Sequence, residues 1–184
     1  MKAAPSIIRR ATPQDAPEIW RLFLQAWREN GLFTIAPAKV TALMDRALHP
    51  ETIPPYDTGP RAQIGVIGAP GKLEAVSFLL IASFWYSEEL HLEELLVYVD
   101  PEHRVSNHAN ACIAWMKGLA DKLEIPLLTG IISKTRTAAK IRLYDRKLPR
   151  IGAFYFYPLD DNSELTKPES VMGNERDVKR RRVA

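Results

Sequence analysis

The sequence has 184 residues, of which 46% are hydrophobic and 26% are charged, and its formal net charge is +3. These values are typical of a globular protein with a substantial core, and the charge is too small to indicate nucleic-acid binding. No long apolar stretch occurs at the N-terminus or further along, so the sequence predicts a cytoplasmic protein without a membrane span. Its single cysteine, Cys112, excludes an intrachain disulfide framework.

The first part of the chain predicts a short strand followed by two helices. Residues 6–10 form the strand. Thr12 and Pro13 have the residue types of an N-cap and of a first helical position, so a helix is expected from there. Apolar residues at helical spacing predict a second helix over 37–48. The proline-rich segment 49–60 is expected to be a surface loop.

The middle of the chain predicts an antiparallel sheet. Residues 63–67 and 73–85 have strand character and are joined by a turn in which Pro70-Gly71 suits type II geometry. A central strand is expected over 90–99.

The last part predicts two more strands and a helix before a polar tail. A strand is expected over 127–132, a helix capped by Ser133 or Thr135 follows, and a last strand is expected over 153–157. The complete order, β-α-α-β-β-β-α-β-α-β, is mixed α/β. Residues 1–160 are therefore assigned to one domain, and residues 161–184, which end in Lys-Arg-Arg-Arg, to a basic tail that is expected to be disordered.

The segment after the central strand has the properties of an anion site. The apolar residues 95–99 stop at Asp100-Pro101, a short polar link follows, and an amphipathic helix then carries Cys112, Met116 and Leu119 on one side. The first amides of a helix have no intrahelical acceptor, and the helix dipole is positive there. Because strand–turn–helix units are common, this observation alone is not specific.

The residues of this segment make it more specific. The pattern Val99-x-Pro-x-x-Arg104-x-x-Asn107-x-Ala109 resembles motif A of the GCN5-related N-acetyltransferase (GNAT) family, whose signature is (Gln/Arg)-x-x-Gly-x-(Gly/Ala). Asn107 replaces the first glycine, and asparagine is the best substitute if that position needs a positive φ. The predicted element order also agrees with the GNAT-like acyl-CoA N-acyltransferase fold, a mixed central sheet flanked by helices.

The resemblance implies a cofactor site for acetyl-CoA. In the family, the backbone of the central strand pairs with the pantetheine arm, which falls on Val97 and Val99 here. Loop amides hold the pyrophosphate, and near the following strand an asparagine often touches the pantetheine, a position held here by Ser133 or Lys134. The implied cofactor-binding residues are Val97, Val99, Arg104, Val105, Ser106, Asn107, His108, Ala109 and Ser133.

The resemblance also implies two catalytic residues. Strand alternation places Glu93 on the face of Leu95, Val97 and Val99 and Glu94 on the other face. Glu93 lies where some family members have their general base, although a water chain would serve as well. Ala138-x-x-x-Arg-Leu-Tyr144 resembles the region whose tyrosine protonates the CoA thiolate, which makes Tyr144 the expected acid, with a longer link before Gly152 than the family has.

The expected activity is therefore transfer of acetyl from acetyl-CoA to an amine acceptor, either a small molecule or a protein or peptide. A non-catalytic acyl-CoA-binding or protein-interaction module on the same fold is the alternative. A nucleic-acid partner for the basic tail is the weakest alternative. The four histidines show no metal-ligand spacing with one another or with Cys112, so no metal site is predicted. The edge strand 153–157 could pair across a homodimer.

Overall fold

The computed structural model describes residues 7–54, 57 and 59–155. In this range five strands form one sheet in chain order: β1 (Arg9–Arg10), β2 (Arg61–Ala69), β3 (Lys72–Ser83), β4 (Leu90–Val99) and β5 (Leu127–Leu128). The first four strands are antiparallel neighbours, whereas β4 and β5 are parallel. The α-helices of the same range are α1 (Ala16–Asn30), α2 (Pro37–Leu48), α3 (His108–Leu123) and α4 (Thr137–Asp145).

The chain divides into two compact units, and the boundary falls between Thr129 and Gly130. The first unit holds the sheet with α1, α2 and α3, and the second holds α4. The predicted tail, residues 161–184, lies outside the described residues. None of the helices in the described part is long and apolar enough to cross a membrane.

The helices α1 and α2 pack on one face of the sheet. Leu22 of α1 and Leu48 of α2 are buried in one cluster with Val66, Val76 and Phe78 of the sheet. These strand residues occupy even positions in β2 and β3, as expected for side chains that share a face. This cluster is the main core, and it confirms the helical periodicity predicted for residues 37–48.

The helix α3 packs against the opposite face. Cys112 of α3 is fully buried with Ile67 and Ala75, and Val97 and Val99 of β4 pack beside this cluster. The central strand is therefore covered by α1 and α2 on one side and by α3 on the other.

The turn between β2 and β3 has the predicted chemistry. Ala69 pairs with Lys72, which leaves Pro70 and Gly71 at the tip. Gly71 has a φ of +80°, the value that a type II turn requires at its third position.

Three predictions for the C-terminal part were wrong. The strand expected over 127–132 ends at Leu128, and Gly130 has no side chain to sustain it. The described part of the last predicted strand, residues 153–155, is not in a strand, while residues 156 and 157 lie outside the described residues. Neither Ser133 nor Thr135 is the N-cap of α4: that position is Arg136, with a φ of +55°.

A buried ion pair fixes the start of the chain on the sheet. The Asp15 side chain is fully buried, and Arg9 of β1 donates hydrogen bonds of 2.7 Å to both of its carboxylate oxygens. The Thr12 backbone amide donates to the same carboxylate at 2.8 Å, which completes a capping box. The hydrogen bonds from Arg9 lower the pKa of Asp15 most, burial opposes them, and those from Thr12 support them.

We expect Asp15→Asn to lower the free energy of unfolding by about 3 kcal/mol. This value is the lower end of the range for breaking a buried ion pair, because the Arg9 side chain stays in contact with water. Because the pKa of Asp15 is lower in the folded than in the unfolded chain, its contribution is present above about pH 4 and is lost as the pH falls further. Urea unfolding at several pH values measures this. The exposed Asp121→Asn is the control, with a change within about 0.5 kcal/mol. An equal, small effect of both variants would contradict the prediction.

Candidate functional site

The strand β4 contains a bulge opposite β3. Phe78 of β3 pairs with Leu96, and the next residue, Leu79, pairs with Glu94, so that Leu95 has no partner in the ladder. Its side chain is 43% exposed. A bulge bends its strand and leaves the extra residue outside the pairing. The middle of the central strand therefore has a backbone position that β3 does not occupy.

The bulge places Glu94 on the face of α3. Glu94 pairs with Leu79, which shares a face with Ser77, the partner of Val97. Glu94 also raises the pKa of the Cys112 thiol of α3, as a nearby negative charge does. Glu94 therefore shares the face of Val97.

The predicted placement of Glu93 was wrong. Glu93 pairs with Leu80, which shares a face with Phe78, the partner of Leu96. Glu93 therefore lies on the face covered by α1 and α2, opposite the face of Val97 and Val99. Alternation along the sequence assumes an unbroken ladder, and the extra residue at Leu95 reverses it.

The strands β4 and β5 pair only at their beginning. Leu92 pairs with Leu127 and Glu93 with Leu128, and the Leu92 amide donates to the Pro126 carbonyl at 2.7 Å. Within the described residues, the segment 95–99 has a strand neighbour on its β3 edge only. An open edge of this kind can accept an extended ligand that carries amide groups. Val97 and Val99, the residues predicted to hold a pantetheine arm, lie in this segment.

The link from β4 to α3 is a compact turn. The Asp100 side chain accepts from the Glu102 amide at 3.2 Å, and a single 3₁₀ turn follows over Pro101–His103. Val105 is fully exposed. The helix begins at His108, so Ala109 lies in its first turn, where backbone amides have no preceding helical carbonyl. The loop thus presents the positive end of α3, as an anion site requires.

Asn107 does not need the conformation of a glycine. Its φ is −89°, in the range that any residue adopts. The condition under which asparagine would be the best substitute for glycine, a positive φ, is therefore not met. The departure from the family's glycine causes no backbone strain at this position.

Arg104 is held in an ion pair instead of pointing into the loop. Its guanidinium donates at 2.7 Å to both carboxylate oxygens of Glu29, on α1, and at 3.2 Å to the Val99 carbonyl. The buried Tyr98 hydroxyl donates to the same carboxylate at 2.6 Å. Burial first, and then Glu29, raises the pKa of Tyr98, which keeps this donor protonated. Because Glu29 neutralises the charge of Arg104, an anion at the loop would be bound chiefly by backbone amides and by the dipole of α3.

The structure brings together three residues that the sequence did not connect. Glu74 of β3, His103 and His108 each offer one ligand atom, and these atoms all lie within 4.8 Å of one another. The sequence predicted no metal site, and the structure adds a group of side chains that could hold a metal ion. The sequence signal for this group is the pair His103 and His108, which lie five residues apart across a tight turn. Glu74 is distant in sequence, so its membership could not be read from spacing.

The second unit carries two of the predicted residues. Tyr144 is half-buried in the last turn of α4. The Ser133 hydroxyl donates to the Thr135 carbonyl at 2.7 Å and accepts from the Lys140 ammonium at 2.6 Å. Their roles toward the thiolate and the pantetheine stay predictions.

Cys112 is not a nucleophile in this structure. It is fully buried, and burial, supported by Glu94, raises the pKa of its thiol to about 12. The thiolate that nucleophilic catalysis needs is absent at neutral pH.

An apolar cavity of about 350 Å³ lies between α1 and α2. Phe23 and Trp27 line it from α1, Phe33 from the connecting segment, and Val40 from α2. The Trp27 ring nitrogen donates to the Phe33 carbonyl at 2.8 Å, which fixes the wall. The cavity is an open groove, and it lies with α1 and α2 on the side of the sheet that also carries Glu93.

No protein-family model and no curated protein sequence matches this chain. Solved structures with a similar fold do exist. A possible acetyltransferase from Clostridium difficile 630 is 18% identical, with a TM-score of 0.59 over 84% of this chain and 97% of the other. The ribosomal-protein-alanine N-acetyltransferase from Brucella melitensis biovar Abortus 2308 is 14% identical, with a TM-score of 0.58 over 84% and 99%.

A third structure contains a ligand. AAC(6')-Iy, in complex with the bisubstrate analogue CoA-S-monomethyl-acetylneamine, is 11% identical, with a TM-score of 0.61 over 85% of this chain and 99% of the other. At these identities the likeness shows the fold. The mixed sheet with flanking helices is the GNAT acyl-CoA N-acyltransferase fold, as predicted.

Proposed function

We propose that this chain, whose fold is that of the GNAT acetyltransferases, moves acetyl from acetyl-CoA to an amine by direct attack in a ternary complex. The observation that carries the proposal is the combination of an open β4 edge with the first turn of α3, which follows the exposed loop residues Val105 and Asn107. The first suits the extended pantetheine arm and the second suits a pyrophosphate. The CoA-containing analogue bound to a protein of this fold supports the same cofactor class.

The cofactor would be bound mainly by backbone groups. Val97 and Val99 would pair with the pantetheine, and the loop 104–109 would hold the pyrophosphate, with Ser133 as a further contact. Because Arg104 is compensated by Glu29, the affinity of the loop rests on amides and on the dipole of α3. The bulge at Leu95 would bring a backbone amide of β4 near the thioester carbonyl, and a preorganised donor stabilises charge that develops in the transition state.

Glu93 would remove the proton from the amine, directly or through water. Glu93 lies on the face of α1 and α2, and this position supports the role because the apolar groove between these helices would hold part of the acceptor on the same face. The resemblance implies that the segment 49–60, which follows these two helices, borders the acceptor site. Tyr144 would return a proton to the CoA thiolate. The acceptor itself, a small amine or a protein or peptide amine, is left open, and the cytoplasmic location stays a prediction from the sequence.

Calorimetric titration with acetyl-CoA tests the cofactor site. We expect micromolar binding of acetyl-CoA and CoA and weaker binding of ATP, which lacks the pantetheine arm. An assay of CoA release against a panel of amines then separates the enzyme from a module that binds acyl-CoA without catalysis. No binding of acetyl-CoA would contradict the proposal, and binding with no product from any amine would favour the non-catalytic module.

A further inference from the structure

A cluster of metal-binding side chains lies at the N-terminal end of α3. The Glu74 carboxylate oxygen Oε2 is 2.6 Å from His108 Nε2 and 3.5 Å from His103 Nδ1. The two imidazole rings stack with their centroids 5.8 Å apart. One ligand atom from each of the three side chains lies within 4.8 Å of the other two.

A second bulge directs Glu74 toward the two histidines. Ile67 of β2 pairs with Ala75 and the next residue, Gly68, pairs with Leu73, so Glu74 has no partner in the ladder. Gly68 has a φ of +112°, and a Cβ there would lie 2.4 Å from the Lys72 carbonyl oxygen, which makes glycine necessary. The Glu74 carbonyl accepts from the Asp100 amide at 2.8 Å, which ties the bulge to the start of the turn.

We propose that Glu74, His103 and His108 form a binding site for a divalent transition-metal ion, with Zn²⁺ as the best match. A zinc ion with bonds of 2.0–2.2 Å needs its nitrogen and oxygen ligands about 3.3 Å apart in a tetrahedron. The distance from Glu74 to His103 already fits this value. The 2.6 Å distance between His108 Nε2 and the Glu74 oxygen that accepts from it would lengthen by less than about 1 Å, a movement within reach of a glutamate side chain.

The burial of the three side chains suits a site with one open position. The His108 side chain is 9% exposed, while those of His103 and Glu74 are 33% and 30% exposed. An ion can therefore enter from one side, and a fourth ligand, water or an oxygen of a bound molecule, can reach it. Three protein ligands with an open fourth position are common for zinc in proteins.

The ion would join three parts of the first unit. His103 ends the 3₁₀ turn, His108 begins α3, and Glu74 belongs to β3. Both ends of the segment 104–107 would then be fixed to the sheet. The metal site itself depends only on the three side chains. The further consequence, that the ion makes the anion-binding loop rigid and adds positive charge beside it, rests on the proposed function.

Competition with a chromophoric chelator tests the site, in the tag-free full chain at about pH 7.5, where imidazoles are neutral enough to bind metal. We expect one Zn²⁺ per chain, and Co²⁺ in its place should give the visible absorption of a tetrahedral complex. His103→Ala and Glu74→Gln, which change partly exposed side chains, should each weaken Zn²⁺ binding by at least about tenfold. His49→Ala is the matched control, because His49 lies 3.4 Å from Glu51 and belongs to no three-ligand group among the described residues, so the affinity should stay unchanged.

Two results would overturn the proposal: no binding of Zn²⁺ to the wild-type chain, or binding that His103→Ala and Glu74→Gln leave unchanged. The first would show that the three residues are a hydrogen-bonded cluster. Thermal unfolding gives an independent readout, since Zn²⁺ should raise the melting temperature of the wild-type chain and of His49→Ala but not of His103→Ala. Calorimetry with acetyl-CoA is run on the same samples, so failure of the cofactor proposal is seen separately from failure of the metal site.

Discussion

Glu93→Gln should lower kcat for acetyl transfer by about 10²–10⁴-fold, the range of a lost general base. Glutamine keeps the size and most hydrogen bonds of the side chain but cannot take a proton. The KM for acetyl-CoA should change little, because Glu93 lies on the face of the sheet opposite Val97 and Val99. Steady-state rates of CoA release, measured with an amine acceptor, give both constants.

Glu94→Gln is the matched control, one residue away in the same strand. It lies on the face of α3, so its kcat should stay close to that of the wild-type chain. Loss of activity in Glu94→Gln with normal activity in Glu93→Gln would assign the base to Glu94 and contradict the proposal.

Tyr144→Phe should also reduce kcat by about 10²-fold or more while the affinity for acetyl-CoA stays nearly unchanged. The hydroxyl would act only on the leaving thiolate, a group that develops charge in the transition state. Phenylalanine keeps the ring packing of this half-buried side chain in α4. Turnover is followed by CoA release and affinity by calorimetry on the same preparation.

Tyr155→Phe provides the control for this change, because Tyr155 is 95% exposed in the same unit. It should leave kcat and binding as in the wild-type chain. If turnover is equal in Tyr144→Phe and in the wild-type chain, Tyr144 takes no part in the mechanism.

The elements that local patterns specify were predicted well. Helical spacing of apolar residues gave α2 with its observed ends, and the polar link before His108 marked the start of α3. Pro70-Gly71 gave the hairpin that sets the register of β2 and β3. The strands of the C-terminal part were predicted poorly. The strand that begins at Leu127 stops before Gly130, and residues 153–155 pair with no other strand among the described residues.

The two bulges mark what the sequence by itself did not determine. Periodicity identifies β3 and β4 as strands, but the extra residue in a ladder depends on how both partners fit. The bulge at Leu95 decided which glutamate faces α1 and α2, and the bulge at Glu74 directed a carboxylate toward His103 and His108. The helices and the anion-binding loop could be predicted because each depends on residues that are neighbours in the sequence. The faces of its strands and the partners of its charged side chains came from tertiary packing, because both depend on residues that are far apart in the chain.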